Sequence, residues 1–379
     1  MRNPRPLVFV LACLVGCSGN LIGTTSGSSS SGTMSGSSSS GTMNGSSSSG
    51  TPSSSSSSGS GESCPPPYFL CGPICVDATN CSTCLQNSCP EKCDPSCGAV
   101  TLLATGLVRP GPIAVDASSV YWGDFETMTP LNGTVRTVPK GGGSLTLLAS
   151  GLNRVQSIAV DSSVVYWTDG ALKSVAKTGG TPTLLAPDGA AFALDSTNVY
   201  YATSGTPSIN SIPKGGGTTT LLTTITGSYE LAVASGYVYW TTGNIVGDGS
   251  VNRVPTGGGA AAQLATSPSP LRTFGLAVDS SSAYWSESTK LLKIPVAGGA
   301  SQELTADIDN FDFAMDSKYV YWVTDLGVVQ KVPIGGGGVT TVASGPDTDS
   351  GTRVAVDDTF VYWTVSQTLE GGLVLRAPK

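Results

Sequence analysis

The chain has 379 residues, of which only 12% are charged; 19 are basic and 26 acidic, for a formal net charge of −7. No long basic cluster offers phosphate neutralisation, so nucleic acid is not an expected partner. Histidine is absent, which removes the commonest general base, the Ser-His pairing and every His-based metal site.

The first segment, "MRNPRPLVFVLACLVGC", sets Arg2 and Arg5 before an apolar run over 7–15. That run is too short to span a bilayer as a mature helix and reads as an export signal over 1–16. It closes on Leu14-Val15-Gly16-Cys17, which resembles a bacterial lipoprotein lipobox. The resemblance implies acylation of Cys17, cleavage before it, and membrane attachment through the lipid, since each buried methylene adds roughly 0.8 kcal/mol of membrane affinity. Ser18 stands where inner-membrane retention signals usually carry Asp, so an outer-membrane location, on the periplasmic face or the cell surface, is expected.

From 17 to 62 the chain is the anchor cysteine followed by Ser, Gly and Thr, with near-copies "SGSSSSGTM" and "NGSSSSGTP". Such a composition buries no core and predicts a disordered tether. Residues 63–97 carry Cys64, Cys71, Cys75, Cys81, Cys84, Cys89, Cys93 and Cys97. Eight cysteines so close together in an exported chain predict a small disulfide-rich module, whose pairing the sequence leaves open. The stretch Cys71-Gly-Pro-Ile-Cys75-Val-Asp with Asn80-Cys81 resembles the Stig1-like cysteine module, although the Cys-Gly-x-Cys-Gly portion usual there is missing.

From 98 to 379 one pattern recurs seven times. A short strand such as "IAVD" is followed by a Ser-rich turn and an aromatic strand such as "VYWTD". A third strand ends in a hydrophobe-proline pair, as in "TVRTVPKGGG", and a fourth reads "LTLLA". The third residue of the first strand falls at 115, 160, 194, 233, 278, 315 and 356, a period of roughly forty residues that marks a β-propeller blade of four antiparallel strands. All six tryptophans occupy one repeat position, at 122, 167, 240, 285, 322 and 363, with Tyr201 in the third copy. Two adjacent large aromatics are expected where both faces of a blade are covered by neighbouring blades. The seventh copy stops after its third strand, and "AVTLLATG" at 99–106 supplies the missing fourth. The predicted fold is therefore all-β, a seven-bladed propeller closed by its N-terminal strand. Tyr166-Trp167-Thr168-Asp169 resembles the YWTD repeat of low-density-lipoprotein-receptor propellers, which have six blades.

Alternating strand order puts the short, uniform turns on one face and the longer, varied loops and inter-blade links on the other. Variable loops on a rigid scaffold carry binding. The candidate ligand-binding residues are accordingly Arg109, Arg154, Tyr229, Glu230, Arg272, Phe274, Asp312 and Arg353, which precede the innermost strands. The repeated Asp116, Asp161, Asp195, Asp279, Asp316 and Asp357 fit tight-turn hydrogen bonding. Lys140 and Lys214 lie on the uniform turns, where charge reversal should do little to ligand binding. No cofactor is expected; Asp307, Asp309, Asp347 and Asp349 offer oxygen ligands for calcium but lack EF-hand spacing. No P-loop, nucleophile elbow or dinucleotide fingerprint is present. The expected function is a lipid-anchored envelope module that binds protein or glycan. The alternatives are a carboxylate-dependent hydrolase or lyase at the channel mouth, and a structural envelope protein.

Overall fold

Each repeat folds into a sheet whose strands run outward from a central axis in sequence order. The computed structural model describes residues 68–71, 74–77, 100–124, 132–228, 230–244, 247–267, 273–287, 289–306, 308, 312–325, 327–345, 353–366 and 371–379. Blade 1 is built from Pro110–Val115, Ser119–Asp124, Gly133–Pro139 and Thr146–Leu152, each antiparallel to the next. Blades 2 to 6 repeat this order over 157–189, 192–224, 231–267, 273–305 and 314–344. Among the described residues the strands form seven sheets and no helix.

The core is distributed over seven seams rather than gathered in one place. In each seam the Trp of one blade packs in a cluster with the second-strand Tyr of the blade before it. Trp167 lies with Tyr121, Trp240 with Tyr200, Trp285 with Tyr239, Trp322 with Tyr284, Trp363 with Tyr321 and Trp122 with Tyr362. In the remaining seam Tyr201 replaces Trp and meets Tyr166. Val165 and Trp167 thus face blade 1 while Tyr166 faces blade 3. Trp122, Trp167 and Trp363 are completely buried, so the aromatic row is structural. Burial of each such ring contributes a few kcal/mol, on the order of 25 cal/mol per Å².

Small residues allow the blades to converge. Ala114, Ala159, Ala193, Ala232, Ala277, Ala314 and Ala355 occupy one repeat position in the innermost strands, where a larger side chain would hold neighbouring blades apart. At the rim, the outermost strand of each fully paired blade carries a register shift against the third strand. The bulge turns Leu148, Leu222 and Leu304 inward and leaves Leu147, Leu184 and Leu221 more than half exposed.

Closure follows the expected route. Thr101–Leu107 pairs with Gly372–Pro378, with Thr101 opposite Arg376 and Leu102 opposite Leu375. The closing sheet also extends further than expected. Strands Tyr68–Cys71 and Ile74–Asp77 form a hairpin, and Phe69 pairs with Thr101, so blade 7 has six strands. An edge strand offers unpaired backbone groups, and part of the cysteine-rich segment takes them. Cys71 and Cys75 lie in this hairpin. Cys17, Cys64, Cys81, Cys84, Cys89, Cys93 and Cys97 lie outside the described residues. Residues 67–379 make one compact unit.

Candidate functional site at the channel mouth

The two faces of the disc are built by different chemistry. On the uniform face, Asp116 Oδ1 accepts the Ser118 and Ser119 amides at 2.7 and 2.8 Å, while its Oδ2 accepts the Tyr121 hydroxyl at 3.0 Å. The same triad recurs at Asp161, Asp195, Asp279, Asp316 and Asp357. Blade 4 departs from it, with Ala234 in place of Asp. There Tyr239 keeps a buried hydroxyl without a partner among the described residues. The turn is carried instead by Ser235 and Gly236, at φ 51° and 79°, the left-handed pair of a type I′ hairpin.

A lysine from the next blade completes four of these turns. Lys177 reaches Asp116 at 2.5 Å, Lys214 reaches Asp161 at 3.2 Å and Lys140 reaches Asp357 at 2.5 Å; Lys379 pairs with Asp316. Each clamps one blade to its predecessor. Burial raises the Asp357 carboxyl, but Lys140, the Phe360 and Thr359 amides and the Tyr362 hydroxyl outweigh it and hold the group at about 2. Asp316 is held at about 2 in the same way by Lys379 and its own turn. Lys140 and Lys214 therefore act as structural clamps. The sequence hides this because each partner lies a full blade away.

On the loop face, the residue just before each innermost core position points toward the axis end. That position holds Pro112, Ser157, Ala191, Glu230, Gly275, Asp312 and Arg353 in blades 1 to 7. Three charged groups thus share one repeat position in blades 4, 6 and 7. They feel one another across the mouth. Burial pushes the Glu230 carboxyl up to about 7, opposed by Arg353 and reinforced by Asp312. Asp312 is also raised, by burial, against the pull of Arg353 and of the Val354 and Phe313 amides; the Val354 amide donates to Asp312 Oδ2 at 2.9 Å. By surface area Glu230, Asp312 and Arg353 are half-buried. Their partial exposure means that solvent reaches them, so the size of the shifts is discounted for screening.

Thr364 holds Arg353 in place: the Arg353 amide donates to Thr364 Oγ1 at 3.2 Å and Thr364 N donates to Arg353 O at 3.0 Å. Thr364 Oγ1 donates to Gly111 O of blade 1, and Thr168 Oγ1 likewise to Ala190 O of blade 3. The Thr of the aromatic strand is thus an inter-blade clip that also frames the mouth. Asp169, which follows Thr168, pairs with Lys173 at 2.8 Å, and the equivalent Asp124 pairs with Arg136 at 3.1 Å.

Of the other candidates, Arg109 and Arg154 are exposed on the approaches to blades 1 and 2, three residues before the shared mouth position. Arg109 has φ 45°. Phe274 lies in strand Thr273–Val278. Tyr229, Arg272, Asp307, Asp309, Asp347 and Asp349 lie outside the described residues. Among the described residues no group of three or more acidic or cysteine side chains is placed to hold a metal.

The sequence matches no protein-family description and no curated protein. Among solved structures, the chain is similar to the WD40 β-propeller domain of Doa1, with TM-score 0.58 and 12% identity over 74% of this chain and 98% of that one. These likenesses are of fold. A puromycin-hydrolysing peptidase of Mycobacterium tuberculosis aligns at TM-score 0.57 and 13% identity, over 73% of this chain and 52% of its own. A chain of a nidogen/laminin complex aligns at TM-score 0.46 and 17% identity, over 57% of this chain and 89% of its own.

Proposed function

We propose that the protein is an exported, lipid-anchored propeller that binds a protein or glycan ligand at the loop-face channel mouth. The observation that carries this reading is the set Glu230, Asp312 and Arg353. Three charged side chains share one repeat position, while the same position elsewhere is Pro, Ser, Ala or Gly. A position that only needed to pack would not gather charge at the end of a channel, where desolvation makes charge costly. Burial raises the Glu230 and Asp312 carboxyls against the pull of Arg353, which supports a ligand that brings donors or positive charge.

Export and anchoring rest on the lipobox ending at Cys17, and the disulfide module on the eight cysteines of 63–97. Cys17→Ser should abolish acylation and shift the protein from the detergent phase to the aqueous phase; a variant that still partitions with detergent removes the anchor from the proposal. For the mouth, wild type and Arg353→Gln are compared by pull-down and calorimetry against envelope proteins and envelope glycans. Binding should fall about tenfold or more in the variant with melting temperature unchanged. Equal binding by both proteins would exclude the mouth.

Glu230, with a carboxyl near 7 beside Asp312, also suits proton transfer at neutral pH. A carboxylate-dependent hydrolase or lyase is therefore the second reading. Release of product from a glycan bound by wild type, absent in Glu230→Gln although that variant still binds, would favour it.

A further inference from the structure

Two of the outer strands are near-copies of each other, and only one of them ends its sheet. Thr101–Leu107, which closes blade 7, reads "TLLATGL", and Thr146–Leu152 of blade 1 reads "TLLASGL". Each carries a register shift at its second leucine, Leu103 or Leu148, against the strand inside it. Each turns at a glycine with φ 68°, Gly106 or Gly151. Leu103, Ala104 and Leu107 are buried, as are Leu148, Ala149 and Leu152. The two strands differ in burial at one place. Thr146 and Leu147 are exposed, Leu147 by 52%, whereas Thr101 and Leu102 are half-buried. That is where Phe69 pairs with Thr101 and the hairpin of Tyr68–Cys71 and Ile74–Asp77 continues the sheet. Thr146–Leu152 is the last strand of its sheet, with nothing paired beyond it among the described residues.

An edge strand presents a row of unpaired N–H and C=O groups, which proteins blunt with charge, proline or a bulge. Thr146–Leu152 has neither charge nor proline. Its bulge is no barrier, since the same bulge in Thr101–Leu107 coexists with an added strand. Other outer strands are less open. Thr183–Gly189 of blade 2 contains Pro187 and Asp188, and Thr220–Thr224 of blade 3 is shorter. Gln302–Thr305 of blade 5 carries Glu303, paired with Lys290.

We propose that the outer edge of blade 1 is a docking site for an added β-strand of a partner protein, apolar and uncharged as Tyr68–Cys71 is. The partner strand runs antiparallel to Thr146–Leu152, pairs with its backbone from Thr146 and covers Leu147; such strand addition draws affinity from main-chain hydrogen bonds. The site lies on the rim and does not depend on the ligand proposed for the channel mouth.

The test uses the full chain and a labelled peptide of residues 66–79, carrying Cys71→Ser and Cys75→Ser, read by fluorescence anisotropy. Wild type should bind this peptide and should not bind one of scrambled order. Leu147→Lys sets a charge on the edge. It should weaken binding about tenfold and leave the melting temperature unchanged, because Leu147 is exposed. Leu102→Lys should bind the peptide as wild type does, which separates blade 1 from exchange of the hairpin at blade 7. A peptide with Phe69→Pro loses a backbone donor and should bind less well. Absence of binding to wild type would overturn the proposal and mean that another segment of this chain covers the edge. Loss of binding in Leu102→Lys with retention in Leu147→Lys would overturn it by placing the peptide on blade 7. Equal binding of the scrambled peptide would reduce the edge to an unspecific apolar patch.

Discussion

Single side chains on this disc act mainly across seams. Lys140 and Asp357 are each less than a fifth exposed and join blades 1 and 7. Lys140→Ala should therefore cost about 1–2 kcal/mol, between the values for surface and buried pairs, and lower the melting temperature by several degrees. Lys290 and Glu303 sit within one blade and are about half exposed, and Lys290→Ala should leave the melting temperature unchanged; equal effects would deny the clamp. Glu230 makes a second prediction. Its folded pKa of about 7 lies above the ordinary 4.5, so the folded state holds the proton more tightly. Its contribution is then fully favourable below about pH 4.5 and is lost as pH rises to 7. Glu230→Gln should gain on wild type by about 1–3 kcal/mol over that interval, measured by urea denaturation at a series of pH values. A constant difference would contradict the shift. The aromatic row and the Asp turns were legible in the sequence because both are local. Glu230, Asp312 and Arg353 were legible too, from their place before the innermost strands, but the clamps were not, since Lys140 meets Asp357 only after the ring has closed.

Strands carry the next level of argument. The closing strand Thr101–Leu107 supplies Leu103, Ala104 and Leu107 to the seam between blades 7 and 1. Deleting 98–106 should strip that seam and expose the edge of Gly372–Pro378. The expected result is a large fall in melting temperature with aggregation; an unchanged melting curve would refute closure by this strand. The motif "AVTLLATG" matches "LTLLASG" closely enough for its place to be read in advance. The hairpin at 68–77 was not foreseen, because cysteine spacing hides the alternation that marks strands. The PxGG turns show which glycines matter. Gly142 and Gly143 have φ 83° and 131°, and their counterparts recur in every such turn. Gly141 is replaced by Thr178 in blade 2 and by Ala297 in blade 5, so only the last two positions require glycine.

At the scale of the whole molecule, the distributed core sets how the disc should melt. Seven clusters of similar make-up, one per seam, leave no single centre on which stability depends. Because the ring is closed, losing one seam also deprives both its blades of an outer support. Trp167→Ala and Trp363→Ala lie in seams far apart in sequence. Each should cost about 3–5 kcal/mol, and each should shift one cooperative transition rather than split off a local one. Calorimetry showing two transitions in either variant would mean that the seams melt independently.

The shared sheet of Thr101–Leu107 and Gly372–Pro378 also bears on the order of folding during synthesis. The strand that closes the ring is made before any blade, and its partner only after the other six blades. For most of translation, at about 5–20 residues per second, the edge of Thr101–Leu107 that takes Gly372–Pro378 stays unpaired, although the earlier strand Tyr68–Cys71 can already meet its other edge. Every blade can form its own hairpins as it appears, but the two seams of blade 7 wait for Gly372–Pro378.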